Sequence, residues 1–232
     1  MQDPGYVDIF ATKGVEYLLV IAFLATLVLF WVLLNKRVRP ARSPASSTGV
    51  GAGARGWFTT PLDRYYHAGH SWVLPQDEAV VTLGIDDFAQ KLVGKPSSVR
   101  LPNVGERLEQ GAPGWKLEFD GTSVDQLSPV DGEVVATNDQ LAASPELVNQ
   151  DPYGDGWLMR VRVPKMKQNI TNLLQSKLAK VWIDTSEDTL RRLVSGELGM
   201  VLQDGGVPVS GIARSIAGDD WVTVTKGFLL TE

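Results

Sequence analysis

The chain has 232 residues, 44% of them apolar, and a formal net charge of −5, which leaves no basic stripe for nucleic acid. It has no cysteine, so disulfides, thiolate chemistry and cysteine-ligated zinc or iron–sulfur centres are excluded. With an anchor and a tether set aside, enough chain remains for one ordinary domain with a real core, with room for a small appendage.

The first element is apolar. Tyr17 to Leu34 reads YLLVIAFLATLVLFWVLL, 18 residues without a charge, and at ~1.5 Å per residue such a helix is about 27 Å long, enough to cross hydrocarbon. A core helix apolar on every face is uncommon in a domain of this size. A secretory signal wants a basic start and a small-residue cleavage site, whereas here Asp3 and Asp8 precede the run and Asn35-Lys36-Arg37 follow it. The sequence therefore predicts an uncleaved transmembrane helix over 17–35 after a short extracytoplasmic tail at 1–16. Lys13 precedes the helix and Lys36, Arg37, Arg39 and Arg42 follow it, so the positive-inside rule directs the C-terminal side to the cytoplasm, single-pass in a bacterial inner membrane. Tyr17, Phe23, Phe30, Trp31, Lys36 and Arg37 are the expected anchor residues, with membrane lipid as their partner. Residues 36–56 begin basic and continue from Pro40 as PARSPASSTGVGAGARG, which buries too little to offset its ordering entropy and reads as a flexible tether.

From Trp57 short β-branched and aromatic runs alternate with Gly, Pro and Asp. Strands are predicted at Ser71–Leu74, Ala79–Leu83, Val99–Leu101, Trp115–Phe119, Val124–Leu127, Glu133–Ala136 and Trp157–Val163. A helix is predicted over Asp86–Val93, with Asp86 or Asp87 as cap and Gly94 as stop, and a helical turn near Pro145–Val148. Many short strands argue for a small barrel or sandwich over 57–163. Residues 164–232 read as an α+β extension. Met166–Leu178 and Ser186–Leu198 are amphipathic helices, the second with an acidic first turn that suits the helix dipole. Met200–Leu202, Val207–Ile212 and Trp221–Thr225 are strands, joined by turns at Asp204-Gly205-Gly206 and Ala217–Asp220.

Over Tyr66 to Val163 the motifs resemble the H protein of the glycine cleavage system, a lipoyl-carrying shuttle. Tyr66, His70 and Trp72 match its Y-x-x-x-H-x-W. Gly84-Ile85, Asp87-Phe88-Ala89-Gln90 and Gly94 match its first helix, and Leu101-Pro102-x-Val104-Gly105 the next turn. Ser128-Pro129-Val130-x-Gly132-Glu133-Val134-Val135, Ser144–Asn149 and Asp151–Leu158 complete the match. The resemblance implies a mainly β barrel-sandwich hybrid with short helices, joined here to one N-terminal transmembrane helix and the C-terminal extension. It also implies a lipoyl-lysine at a hairpin tip within E-S-V-K-A. Counted back from Ser128-Pro129, that glutamate falls on Glu118 and the lysine position on Gly121, in Glu118-Phe119-Asp120-Gly121-Thr122. Asp-Gly is a favoured hairpin turn because its second residue tolerates positive φ, so the hairpin is expected to survive without the attachment amine. Lys116, on the strand, is the nearest lysine.

Other chemistry is weaker. His67 and His70 form H-x-x-H, but no third ligand is suggested and His70 already has a place in the resemblance. Asp86-Asp87 reads as a cap and Asp219-Asp220 as a turn rather than acid–base pairs. Ser210-Gly211 lacks the G-x-S-x-G context and Gly205-Gly206 lacks phosphate-loop spacing. Trp57, Trp72, Trp115, Trp157, Trp182 and Trp221 read as core or interface anchors. With no catalytic, cofactor or metal residues singled out, the expected function is a membrane-anchored accessory or scaffold subunit, not an enzyme, docked on a larger integral-membrane complex such as a bacterial respiratory or photosynthetic electron-transfer assembly. The alternatives are a tethered lipoyl or acyl carrier using another lysine, and a small-ligand sensor domain.

Overall fold

The computed structural model describes residues 9–34, 56–198 and 210–231, and the chain divides into two compact units, 1–51 and 52–232. In the first unit α1 (Ile9–Leu34) is a helix of 26 residues. Its side chains are described over 17–28 and at 30, and the large apolar ones are exposed, from Tyr17 and Phe23 to Phe30. Among the described residues no helix is long and apolar enough to cross a membrane. A helix thus covers the segment predicted over 17–35 as far as Leu34, but it begins at Ile9, inside the stretch 1–16 expected as a tail. The Trp31 side chain, Lys36, Arg37 and all of the predicted tether except Gly56 lie outside the described residues.

The second unit begins with β1 (Tyr65–Tyr66), β2 (Ser71–Pro75) and β3 (Val80–Ile85), then α2 (Asp87–Val93) and β4 (Ser98–Arg100). It continues with β5 (Arg107–Leu108), β6 (Pro113–Phe119), β7 (Thr122–Leu127) and β8 (Gly132–Thr137), followed by the short helices α3 (Gln140–Ala143) and α4 (Leu147–Gln150). After β9 (Met159–Arg162) come α5 (Met166–Thr171), β10 (Leu174–Gln175), α6 (Ser176–Leu198), α7 (Ile212–Ala217), a 3-10 turn at Gly218–Asp220 and α8 (Trp221–Leu229). A seven-stranded sheet runs β10-β1-β2-β3-β9-β8-β5, and a three-stranded sheet runs β4-β6-β7. The strand alternation does what the sequence predicts: on β9 Met159 and Val161 are buried while Arg160 and Arg162 are exposed. The start of α2 also follows prediction. Asp86 sits extended at the N-cap, where its Oδ1 accepts from the Ala89 N–H at 2.7 Å, and Gly94 ends the helix at φ +85°.

The C-terminal region departs from expectation. The helix predicted over Met166–Leu178 is broken, because Leu174 and Gln175 pair with Tyr66 and Tyr65 as an edge strand and Ser176 takes φ +52°. The helix predicted to begin at Ser186 is instead the continuation of α6. There Ser186 Oγ donates back to the Trp182 carbonyl at 3.1 Å rather than capping a new start. The strand predicted at Trp221–Thr225 is helical: Trp221, Thr225 and Leu229, four apart, are the buried positions, so burial period overrode the β-branched Val-Thr-Val-Thr composition. Apart from β10 the described extension is helical rather than α+β. Ile212 opens α7, whereas the strand at 200–202, the turn at 204–206 and the start of the predicted strand at 207–212 lie outside the described residues. Ile183 and Leu190 of α6, Ile216 of α7 and Leu229 of α8 join Val81, Phe88, Leu117 and Val161 in one apolar core.

Candidate functional site

The hairpin of β6 and β7 is in register from Lys116 opposite Asp125 to Phe119 opposite Thr122. Asp120 and Gly121 are therefore the whole loop, and Gly121 has φ +79°, where glycine is at no steric disadvantage. A Cβ placed on Gly121 would meet no atom within 4 Å, so the tip is open. Three residues earlier, Glu118 is held to β4: its carboxylate accepts from Ser98 Oγ at 2.5 Å and from Arg100 Nη2 at 2.6 Å. Lys116 Nζ lies 3.1 Å from Asp125 Oδ1 across the strand pair.

The root of this tip is covered by the extension. Phe119, 5% exposed, meets Trp221 edge-on at 5.1 Å between ring centroids, and the Arg214 guanidinium lies 4.4 Å from the Trp221 ring and 5.1 Å from Phe119. These contacts were not anticipated from sequence, although the spacing of Trp221, Thr225 and Leu229 would have exposed the helix that makes them.

The Y-x-x-x-H-x-W residues lie on and between β1 and β2 of the seven-stranded sheet, where Tyr66 and His70 both meet Trp182. Tyr66 Oη donates to the Pro61 carbonyl at 2.7 Å, and burial pushes its phenol well above the ordinary tyrosine range. The Trp72 indole lies over Gly84, where a Cβ would stand 2.4 Å from the ring, and its Nε1 donates to the carbonyls of Ile85 at 2.9 Å and Pro152 at 3.0 Å. His70, at φ +63°, has its ring between Phe88, with centroids 4.1 Å apart, and Trp182 at 4.4 Å; its Nδ1 is 2.8 Å from Asp86 Oδ2. His67 is held elsewhere, its Nδ1 accepting from the Gly69 N–H at 3.0 Å. Burial, then the neighbouring His70, lowers its pKa. The two histidines of H-x-x-H thus serve different partners, and among the described residues no three acidic or imidazole groups are placed to hold a metal.

Asp86 was read from sequence as a cap alone; the structure adds its bond to His70. Asp86→Ala removes a cap worth about 1 kcal/mol and strands a buried imidazole N–H at a further ~1–3 kcal/mol. A loss of roughly 3 kcal/mol by urea denaturation is expected, and an unchanged midpoint would refute the pairing.

The glycine cleavage H-protein family matches residues 64–185. A probable glycine cleavage system H protein of Natronomonas pharaonis is 49% identical over 104 residues, spanning 45% of this chain and 82% of that protein. The glycine cleavage system H protein of Alteromonas mediterranea is 44% identical over 102 residues, spanning 44% and 79%. One from Thermus thermophilus is 41% identical over 117 residues, spanning 50% and 90%. A crystal structure of a glycine cleavage system H protein from Mycobacterium marinum matches 61% of this chain and 100% of its own length, with 28% identity and a TM-score of 0.46. These relatives overturn the expectation of a membrane-anchored accessory or scaffold subunit on an electron-transfer complex, because proteins up to 49% identical are H proteins.

Proposed function

This chain belongs to the glycine cleavage H-protein family, and on that premise we propose that it is a non-catalytic member whose hairpin bears no lipoyl arm, leaving a binding protein with a carrier's fold. H proteins are lipoyl carriers rather than enzymes in their own right, and the carrier's lysine attaches its cargo through an amide. The observation behind the proposal is Gly121 at the hairpin tip, where the side chain is a hydrogen and offers no amine. Lys116 is a poor substitute: it sits five residues back from the tip, within a paired strand, and its ammonium faces Asp125. The cover of Arg214 and Trp221 over Phe119 supports the same reading, since part of the tip's surroundings is given over to the chain's own extension. Intact-mass measurement of the chain purified from its native host tests the proposal. The unmodified mass is expected; a lipoyl adduct on any lysine, Lys116 included, would overturn it.

Membrane attachment through α1 is a separate proposal about location. It is supported by the exposed apolar side chains at the successive positions Tyr17, Leu18, Leu19, Val20 and Ile21, which cover every side of a helix. The chain is expected to stay in the pellet when bacterial membranes are washed with alkaline carbonate. Release into the wash would remove the proposal.

A further inference from the structure

A cleft of about 600 Å³ opens between α6 and α8, with His70 among its lining residues, a size within the roughly 300–1,000 Å³ of small-molecule sites. Its walls carry Trp182 and Leu193 from α6 and Val224, Gly227 and Phe228 from α8. All of these but Trp182 lie beyond the residues that match the H-protein family, so the extension builds most of the cleft. The threonines on the α6 wall are already committed as donors, Thr185 Oγ1 to the Val181 carbonyl at 2.8 Å and Thr189 Oγ1 to the Thr185 carbonyl at 3.0 Å.

His70 differs from the rest of the lining. It is 1% exposed, and Nδ1 is taken by Asp86 Oδ2, while the other carboxylate oxygen takes the Ala89 N–H. Asp86 as acceptor places a ring proton on Nδ1, and in the neutral ring Nε2 then carries the lone pair. His70 bonds only through Nδ1 among the described residues, and Nε2 is not one of the fully buried atoms that lack a partner, so a ligand in the cleft that His70 lines can reach it. We propose that this cleft binds a neutral aromatic compound carrying one hydroxyl group, whose ring packs among Trp182, Leu193 and Phe228 and whose O–H donates to His70 Nε2. Aromatic walls favour a flat ring, and a largely apolar lining disfavours a charged group.

Calorimetric titration of the full chain with 2-naphthol, and separately with 2-methylnaphthalene, tests this. The two probes share size and shape and differ in the hydroxyl. 2-Naphthol is expected to bind at one site about tenfold or more tightly than 2-methylnaphthalene, the discrimination expected of one buried hydrogen bond. Gly227→Leu fills the cleft from α8, where an added Cβ meets no atom within 4 Å; it should abolish 2-naphthol binding while the thermal unfolding midpoint is retained. No binding of 2-naphthol, equal affinity for the two probes, or undiminished binding by the folded Gly227→Leu chain would each overturn the proposal. The comparison of probes on the unaltered chain decides the matter even if the variant fails to fold.

Discussion

Gly121→Lys is expected to convert an unmodified chain into a substrate for lipoate attachment. The original chain should show no adduct after incubation with lipoate, ATP and a lipoate–protein ligase, the variant close to one adduct per chain, and a Gly121→Ala control none. The reasoning is geometric. The tip is a two-residue loop with open space around position 121, and Glu118 still stands three residues before it, as in the carrier pattern. The cost is a non-glycine residue at φ +79°, about 1 kcal/mol of backbone strain, which a hairpin with a fully paired register tolerates. A folded variant that stays unmodified would show that the missing amine is not the sole obstacle, and would point to the Arg214 and Trp221 cover over Phe119 as a second block.

Trp72→Ala is expected to produce the largest loss of stability. Trp72 is 1% exposed, its indole fills the space that Gly84 leaves, and the Arg64 guanidinium lies 4.4 Å from its ring. Truncating a buried tryptophan costs about 3–5 kcal/mol, and the Ile85 and Pro152 carbonyls also lose their shared donor. Because whole domains are stable by only about 5–15 kcal/mol, urea denaturation should find the variant marginally folded or unfolded. Trp72→Phe, which keeps a ring but strands the two carbonyls, should lose roughly 1–3 kcal/mol. A loss below about 1 kcal/mol for Trp72→Ala would mean that the motif's tryptophan does not organise the packing around β2 and β3.

The β-rich body was legible because its signals are local. Asp86 and Gly94 bracket α2 by cap chemistry and positive φ, Asp120-Gly121 dictates a two-residue hairpin, and the alternation over 159–162 shows which face is buried. That the tip carries Gly121 rather than a lysine was legible for the same reason, and its proposed reading as the attachment position rests on the spacing from Ser128-Pro129 along one hairpin. The expected role was not. A scaffold on a membrane complex rested on the apolar N-terminal run, the tether, the missing lysine at Gly121 and the added C-terminal region, and the relatives did not bear it out.

What the sequence determined by itself, then, are the features whose physical cause lies within a few residues: caps, turns, strand alternation and the absence of an amine at position 121. Only the tertiary structure decided the rest. Val222 and Val224 lie in a helix because Trp221, Thr225 and Leu229 must share one buried face, and Leu174 is a strand because the edge offered by Tyr66 is free to pair. His70 meets Asp86 from 16 residues away, and Arg214 reaches Phe119 from a different part of the chain. Such contacts depend on which surfaces the whole fold brings together, and residue propensity carries no record of them.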